Sequence, residues 1–309
     1  MRLPKLPHIL NFLLQIKQRK QRKQNKIKNE PKNKKIVATK IYPPFKIFEK
    51  INKYKISKII GKTKNNIIIS FVPHEHLMIE NCSQFIYYCV HDSYQQGFSS
   101  KIIKFEQSLT HNEKNIVFCD NKNVLNRLHN NFNEYPNYLD NSNAYLMPPP
   151  VPDSFFTAAT MSVEKHYDFC YYGSFHKDID IDAILLLAKT KSILIISNNS
   201  PSILSNNRRI TIHPPIYDMP TLAKKILTAK NILLPYKNSE FMNTITPAKA
   251  LQVQALRLPV YCTNILLAKK YNFSDNLEDL TKTKYQPIDF SFSVSSVCDF
   301  ILNRIRKNI

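Results

Sequence analysis

The sequence is nearly without glycine. Three occur in 309 residues, Gly61, Gly97 and Gly173. Phosphate-cradling loops of the G-x-G-x-x-G or G-x-x-x-x-G-K-[ST] kind are therefore excluded. Tryptophan is absent. No apolar run approaches the roughly 18 residues of a membrane-spanning helix. The six cysteines, Cys82, Cys89, Cys119, Cys170, Cys262 and Cys298, show no C-x-x-C spacing and lie mostly inside apolar runs. That argues against a zinc site or a disulfide framework, and for buried thiols in a reducing compartment. The apolar run from Ile9 to Ile16 is short and is followed by charge, so no signal peptide is expected.

What is abundant is positive charge, and it is uneven. Lys+Arg 44 against Asp+Glu 23 gives +21. Residues 1–65 hold 20 basic and 2 acidic side chains, a net of +18, and residues 66–309 carry only +3. The apolar residues Ile9, Leu10, Phe12, Leu13 and Ile16 have helical spacing, and residues 17–35 then carry ten basic side chains against Glu30. Such an arm can be simply solvated. It can also lie on an anionic membrane surface or bind nucleic acid by counterion release. Aromatic residues that would stack on bases are nearly absent before Tyr42, which weighs against nucleic acid.

From about Asn66 onward, short β-branched runs alternate with helical patterns. Strands are expected at Ile67–Val72, Phe85–Val90, Ile116–Cys119 and Ala144–Met147. Asp120 and Asn121 are cap candidates for a helix through Leu128. The Asn/Pro-rich stretch 129–155 reads as a loop and a crossover. A second series follows, with strands at Phe169–Tyr172, Ile193–Ile196, Ile210–Ile212, Ile232–Leu234 and Val260–Cys262. Its helices are expected at Ala183–Ala188, Met219–Leu227, capped by Asp218, and Pro247–Leu256. Ser197–Asn207 reads as a polar turn. An amphipathic helix, Val294–Ile305, closes the chain. Two β/α series suggest two doubly wound domains, whose ligands bind beyond the carboxyl ends of the strands. That directs attention to His91 and Asp92, to Gly173–Lys177 and to Tyr236–Lys249.

Residues 230–264 read as strand, long polar loop, helix, strand. Thr246 is an N-cap candidate and Pro247 fits the first helical position. The helix start offers unpaired N–H groups and a positive dipole end, with Lys249 in its first turn and Gln252 at i+3. These groups suit a diphosphate and a ribose. They also suit an ordinary βαβ unit with a surface lysine.

The order of residues resembles the donor-binding part of GT-B glycosyltransferases, specifically the family-4-like group of surface-polysaccharide enzymes. Leu234-Pro235-Tyr236, Thr246-Pro247, Lys249, Ala255 and Pro259-Val260 follow that pattern. So do Ile216–Pro220 upstream, Tyr172-Gly173-Ser174 with Asp180, the strand ending at His91-Asp92, and Glu106. Tyr145–Val151 stands where that family has Asn-Gly-Val-Asp, with Asp153 and Phe155 as a remnant of its end. The resemblance spans roughly residues 66–270. Three departures stand out: Gln252 replaces the glutamate expected at the donor ribose, Arg257 falls where a glycine is expected, and the first domain is shortened.

The resemblance implies an α/β GT-B fold of two facing Rossmann-like domains. Residues 1–35 would be a basic amphipathic arm and 36–155 an N-terminal acceptor domain. Residues 156–290 would be a C-terminal nucleotide-sugar domain, and 291–309 a helix packing back across the cleft. The implied activity is transfer of a sugar from a nucleotide sugar to a cell-surface glycan or glycolipid precursor. No cofactor and no metal are expected, since the acidic run Asp178, Asp180 and Asp182 reads better as helix-start charge. His91 and Asp92 would contact the sugar or stabilise charge at its anomeric carbon. The plainer readings are a strand-end histidine and a cap. Gly173, Ser174, Lys177, Tyr236, Glu240, Thr246, Lys249 and Gln252 would surround the donor, with Lys249 neutralising the diphosphate. The expected setting is cytoplasmic, peripheral on the inner membrane face, held there by residues 1–35. The alternative is a degenerate, noncatalytic homologue that binds membrane or nucleic acid through its basic arm.

Overall fold

The structure is a computed structural model. It describes residues 42, 46–60, 66–73, 75, 82–90, 92–94, 97–112, 114–130, 143–239, 242, 246–280 and 287–307. The basic arm 1–35, His91 and Glu240 lie outside the described residues.

Helix α1, Lys46–Ile60, precedes the first sheet. That sheet comprises β1 (Asn66–Ser70), β2 (Cys82–Cys89), β3 (Asn115–Cys119) and β4 (Ala144–Leu146). Its order is β1-β2-β3-β4, and every neighbouring pair is parallel. Helices α2 (Ser100–Leu109) and α3 (Lys122–Asn130) form the crossovers after β2 and β3. Strands laid down in one direction with right-handed crossovers place their helices on a single face. The core on that face agrees, since Phe85, Tyr87, Cys89, Val117 and Cys119 meet Leu109, Val124 and Leu128, with Ile56 of α1 beside them.

The second sheet comprises β5 (Tyr167–Tyr172), β6 (Ile193–Ile196), β7 (Ile210–His213), β8 (Ala229–Leu234) and β9 (Val260–Cys262). Its order is β7-β6-β5-β8-β9, again all parallel. This is a doubly wound, Rossmann-like order whose direction reverses between β5 and β8. Around it run α4 (Asp153–Ala158), α5 (Ile181–Leu187), α6 (Ser202–Ser205), α7 (Met219–Ile226), α8 (Ala248–Leu256) and α9 (Ile265–Tyr271). Residues Ile193–Ile196 are all buried, as a strand covered on both faces requires.

The last helix, α10 (Val294–Lys307), returns to the first sheet. Val297 and Ile301 pack on Ile86, Tyr88, Ile116 and Phe118, the face opposite α2 and α3. The Phe300 ring lies 6.2 Å from Phe118 and 6.1 Å from Tyr145. Arg304 sits 4.5 Å over the Tyr145 ring. The approach to α10 runs beside the outgoing crossover: Val151 N–H donates to Phe292 O and Val294 N–H to Val151 O, both at 2.8 Å. Two side chains cap α10. Ser293 Oγ accepts from Ser296 N at 3.1 Å. Asp153 accepts from Ser295 N at 3.1 Å and from Ser295 Oγ at 2.7 Å.

Several expectations need correction. Pro247 is the cap residue of α8 and not its first helical residue, because its ψ of 119 is extended. Thr246 therefore stands before the cap. Asn121 caps α3 by accepting from Asn123 N at 2.7 Å, and Asp120 does not. The polar turn Ser197–Asn207 contains the short helix α6. Helices α1, α4 and α9 are not among the expected elements, and α4 begins at Asp153, inside the stretch read as loop and crossover. At the position where the resemblance wants glycine, Arg257 ends α8 in the left-handed region, at φ 57 and ψ 29. The backbone keeps the glycine conformation although the side chain does not suit it.

Two stability predictions follow from these caps. Asp153→Ala should lower stability by about 1 kcal/mol, and Arg257→Gly should raise it by about 1 kcal/mol. Denaturant midpoints at unchanged slope would check both.

Candidate functional site at the strand ends of the second sheet

β5 and β8 are the neighbours at which the winding reverses, so the crevice beyond their carboxyl ends is where such a sheet holds ligands. Gly173 follows β5 with φ 117. A Cβ there would stand 2.5 Å from Lys249 Nζ and closer still to Lys249 Cε. The glycine therefore serves two needs, a backbone turn and space for the lysine.

Lys249 lies in the first turn of α8 and reaches across to Gly173, with its ammonium 5.7 Å over the Tyr171 ring. It has no hydrogen-bond or ion-pair partner among the described residues. Burial lowers its ammonium to about 8. A lysine whose charge is desolvated thus stands in the first turn of α8, the end at which the helix dipole favours negative charge.

The loop after β5 is fixed around this point. Tyr171 hydroxyl donates to Ser174 O at 2.9 Å. Asn199, just beyond β6, accepts from Phe175 N at 2.9 Å and donates to Phe175 O at 2.8 Å. Ser174 Oγ lies 3.3 Å from Asn198 Oδ1. His176 stacks on Tyr236 with ring centroids 6.5 Å apart, and its Nδ1 is 3.6 Å from Asp178. Burial lowers the imidazole below its ordinary value, Lys249 lowers it further, and Asp178 opposes them.

Of the residues singled out in the sequence, Gly173, Ser174, Lys177, Tyr236, Thr246, Lys249 and Gln252 come to this end of the second sheet. Their roles differ. Tyr236 is buried, and its carbonyl accepts from Thr263 Oγ1 at 2.8 Å, so its part is to hold the floor. Gln252 accepts from Tyr172 hydroxyl at 3.0 Å, which orients its amide. Lys177 is exposed. Asp180 caps α5 by accepting from Ala183 N at 2.9 Å. His176 lies within the stretch Gly173–Lys177 but is given no role by the sequence, and Asn198 and Asn199 are not singled out by it. Their signal is position, since they lie two to four residues beyond the ends of β5 and β6.

Asp92 belongs elsewhere. It was read as a possible helix cap, but α2 begins at Ser100. Asp92 instead accepts from Tyr94 N at 3.0 Å and lies 3.4 Å from Arg127 Nε. Arg127 also donates to Glu106 at 3.0 Å, and Glu106, 0% exposed, accepts from Tyr87 hydroxyl at 2.7 Å. This buried network fixes the strand end of β2 onto α2 and α3.

Among the described residues, no helix is long and apolar enough to cross a membrane, and no group of His, Cys, Asp and Glu side chains is arranged to hold a metal ion. No known protein-family model and no curated protein sequence matches the chain. The fold is thus that of an α/β protein with two parallel, Rossmann-like sheets.

Lys249→Met should stabilise the ligand-free protein by about 1–3 kcal/mol, because it removes a desolvated charge. The unfolded chain keeps this amine near 10.5 and the folded one near 8, so the penalty is full below pH 8 and fades as pH rises toward 10.5. Thermal melts of both proteins from pH 7 to 10.5 would show the gap closing. Inorganic pyrophosphate should stabilise the wild type and leave Lys249→Met unmoved.

Proposed function

We propose that this protein is a GT-B glycosyltransferase that moves a sugar from a nucleotide sugar to a cell-surface glycan or glycolipid precursor. The observation that carries the reading is Lys249, an unpartnered, desolvated cation at the start of α8, over Gly173 and at the reversal point of the second sheet. The ordered residue pattern from Ile216 to Val260 supports it. So does the pair of adjacent crossovers at Val151 and Val294 that ties the two sheets together.

In this reading the diphosphate lies on the N–H groups of α8 with Lys249 against it. The leaving diphosphate gains negative charge as the bond to the sugar breaks, so a cation and helix dipole already in place stabilise that state more than the bound donor. Gln252, oriented by its hydrogen bond from Tyr172, offers the ribose an uncharged amide with N–H donors and a remaining carbonyl lone pair. This replaces the charged acceptor that the resemblance leads one to expect. The acceptor would approach from the first sheet.

A panel of UDP-, GDP-, ADP- and CMP-type nucleotides and their sugars, tested by calorimetry, checks the reading. At least one should bind, and Lys249→Ala should weaken it by about 10- to 100-fold, the worth of a charge-assisted contact. Binding of none of them, or binding unaffected by Lys249→Ala, would reject it.

The charge of residues 1–35 supports a peripheral place on an anionic, inner membrane face. Full-length protein should bind phosphatidylserine vesicles at low salt and release as salt rises. A chain lacking residues 1–35 should not bind them, while its nucleotide affinity stays unchanged.

A further inference from the structure

Asp120 stands directly beyond the carboxyl end of β3 and is 8% exposed. Its backbone N–H donates to Cys89 O at 3.2 Å. Its carboxylate is held by its own backbone N–H and has no side-chain hydrogen-bond or ion-pair partner among the described residues. The titratable groups facing it are Tyr88 from β2 and Lys270 and Tyr271 from α9 of the second sheet. Burial raises the carboxyl to about 7, and Lys270 offsets part of that rise.

These contacts place Asp120 on the seam between the sheets. Tyr271 joins it to the anion site, since its buried hydroxyl lies beside Thr246, just before α8. A buried carboxylate with no side-chain partner is uncommon, and it points to a ligand that completes it. That ligand part cannot be anionic. It must donate hydrogen bonds. Phosphate therefore belongs at Lys249 and a hydroxyl-rich group at Asp120.

We infer that Asp120 holds the sugar of the nucleotide sugar, accepting hydrogen bonds from its hydroxyls across the seam while Lys249 holds the diphosphate. This rests on the nucleotide-sugar reading above. The two ends then respond oppositely to pH. Hydroxyl donors favour the ionised carboxylate, so the sugar's share of binding weakens below about pH 7. The diphosphate favours the charged amine, so its share weakens above about pH 8. Near Lys249 the other titratable groups are Tyr171, His176 and Lys177.

Calorimetry of UDP against UDP-glucose and of GDP against GDP-mannose tests this, at pH 7.5 and pH 6. In the wild type, one sugar nucleotide should bind about tenfold tighter than its diphosphate, and that gain should shrink at pH 6. Asp120→Ala should abolish the gain and leave the diphosphate affinity in place. Asp120→Asn, which keeps an acceptor oxygen, should retain part of the gain without its pH dependence, and it serves if the alanine variant does not fold. A gain that survives in Asp120→Ala, a loss that falls equally on diphosphate and sugar nucleotide, or no gain from either sugar in a wild type that binds the diphosphate would overturn the assignment alone. A wild type that binds no nucleotide would overturn the proposed function, and this inference with it.

Discussion

The first sheet is wound in one direction, so its own crossover helices can cover only one of its faces. The other face presents Ile86, Tyr88, Ile116 and Phe118, side chains that would each give up about 1.5–3 kcal/mol of burial if left to water. The segment that covers them is α10, from the far end of the chain. This constraint orders much of the molecule. The chain must leave the first sheet, build the second, and come back. The outgoing and returning segments run side by side at Val151 and Val294, and Asp153, the first residue of α4, also caps the helix that returns. The two sheets are thus joined by packing as well as by sequence.

The second sheet answers to a different constraint. Its order reverses between β5 and β8, which parts the connections beyond those strands and leaves a gap at their carboxyl ends. Into that gap the fold sends a lysine that it does not pair. An arrangement optimised for stability alone would put an apolar side chain there, or an acid beside the cation. Gly173 is required there by its φ of 117, and the tip of Lys249 occupies the space that its missing side chain leaves. At the end of β2 the first sheet pairs its charges. Arg127 finds both Glu106 and Asp92, and Glu106 is sealed by Tyr87. Paired and unpaired charge separate the residues that hold the structure from those that await a partner.

Much of the alternation of strand and helix was legible, because buried parallel strands must be β-branched or aromatic throughout, and runs such as Ile193–Ile196 have few other readings. Helix α1 was not. Its apolar positions, Ile56 among them, sit inside a lysine-rich segment whose charge dominates any reading by composition. Helix α9 is short, and its only strong mark is Asn264, which accepts from Leu267 N. The amphipathic stripe of α10 was plain, but a stripe does not name its partner, and the singly wound order that bares the first sheet becomes visible only once the strands are paired. At the site, Lys249 was legible from its place in a helix first turn. Its desolvation was not, because that depends on Gly173, 76 positions earlier in the chain.

Asp120 is the instructive failure. An Asp-Asn pair after a strand and before a helix reads as a cap, and one cap suffices. Asn121 takes that role, with its side chain turned to Asn123 N. Asp120 is thereby released from local duty and turned to the seam, where Lys270 and Tyr271 of the other sheet face it. Local rules assign residues to the nearest need, and here two residues of similar chemistry compete for one. The loser of that competition, buried with no side-chain partner, has its carboxyl raised to about 7 by burial, with Lys270 of the other sheet opposing the rise.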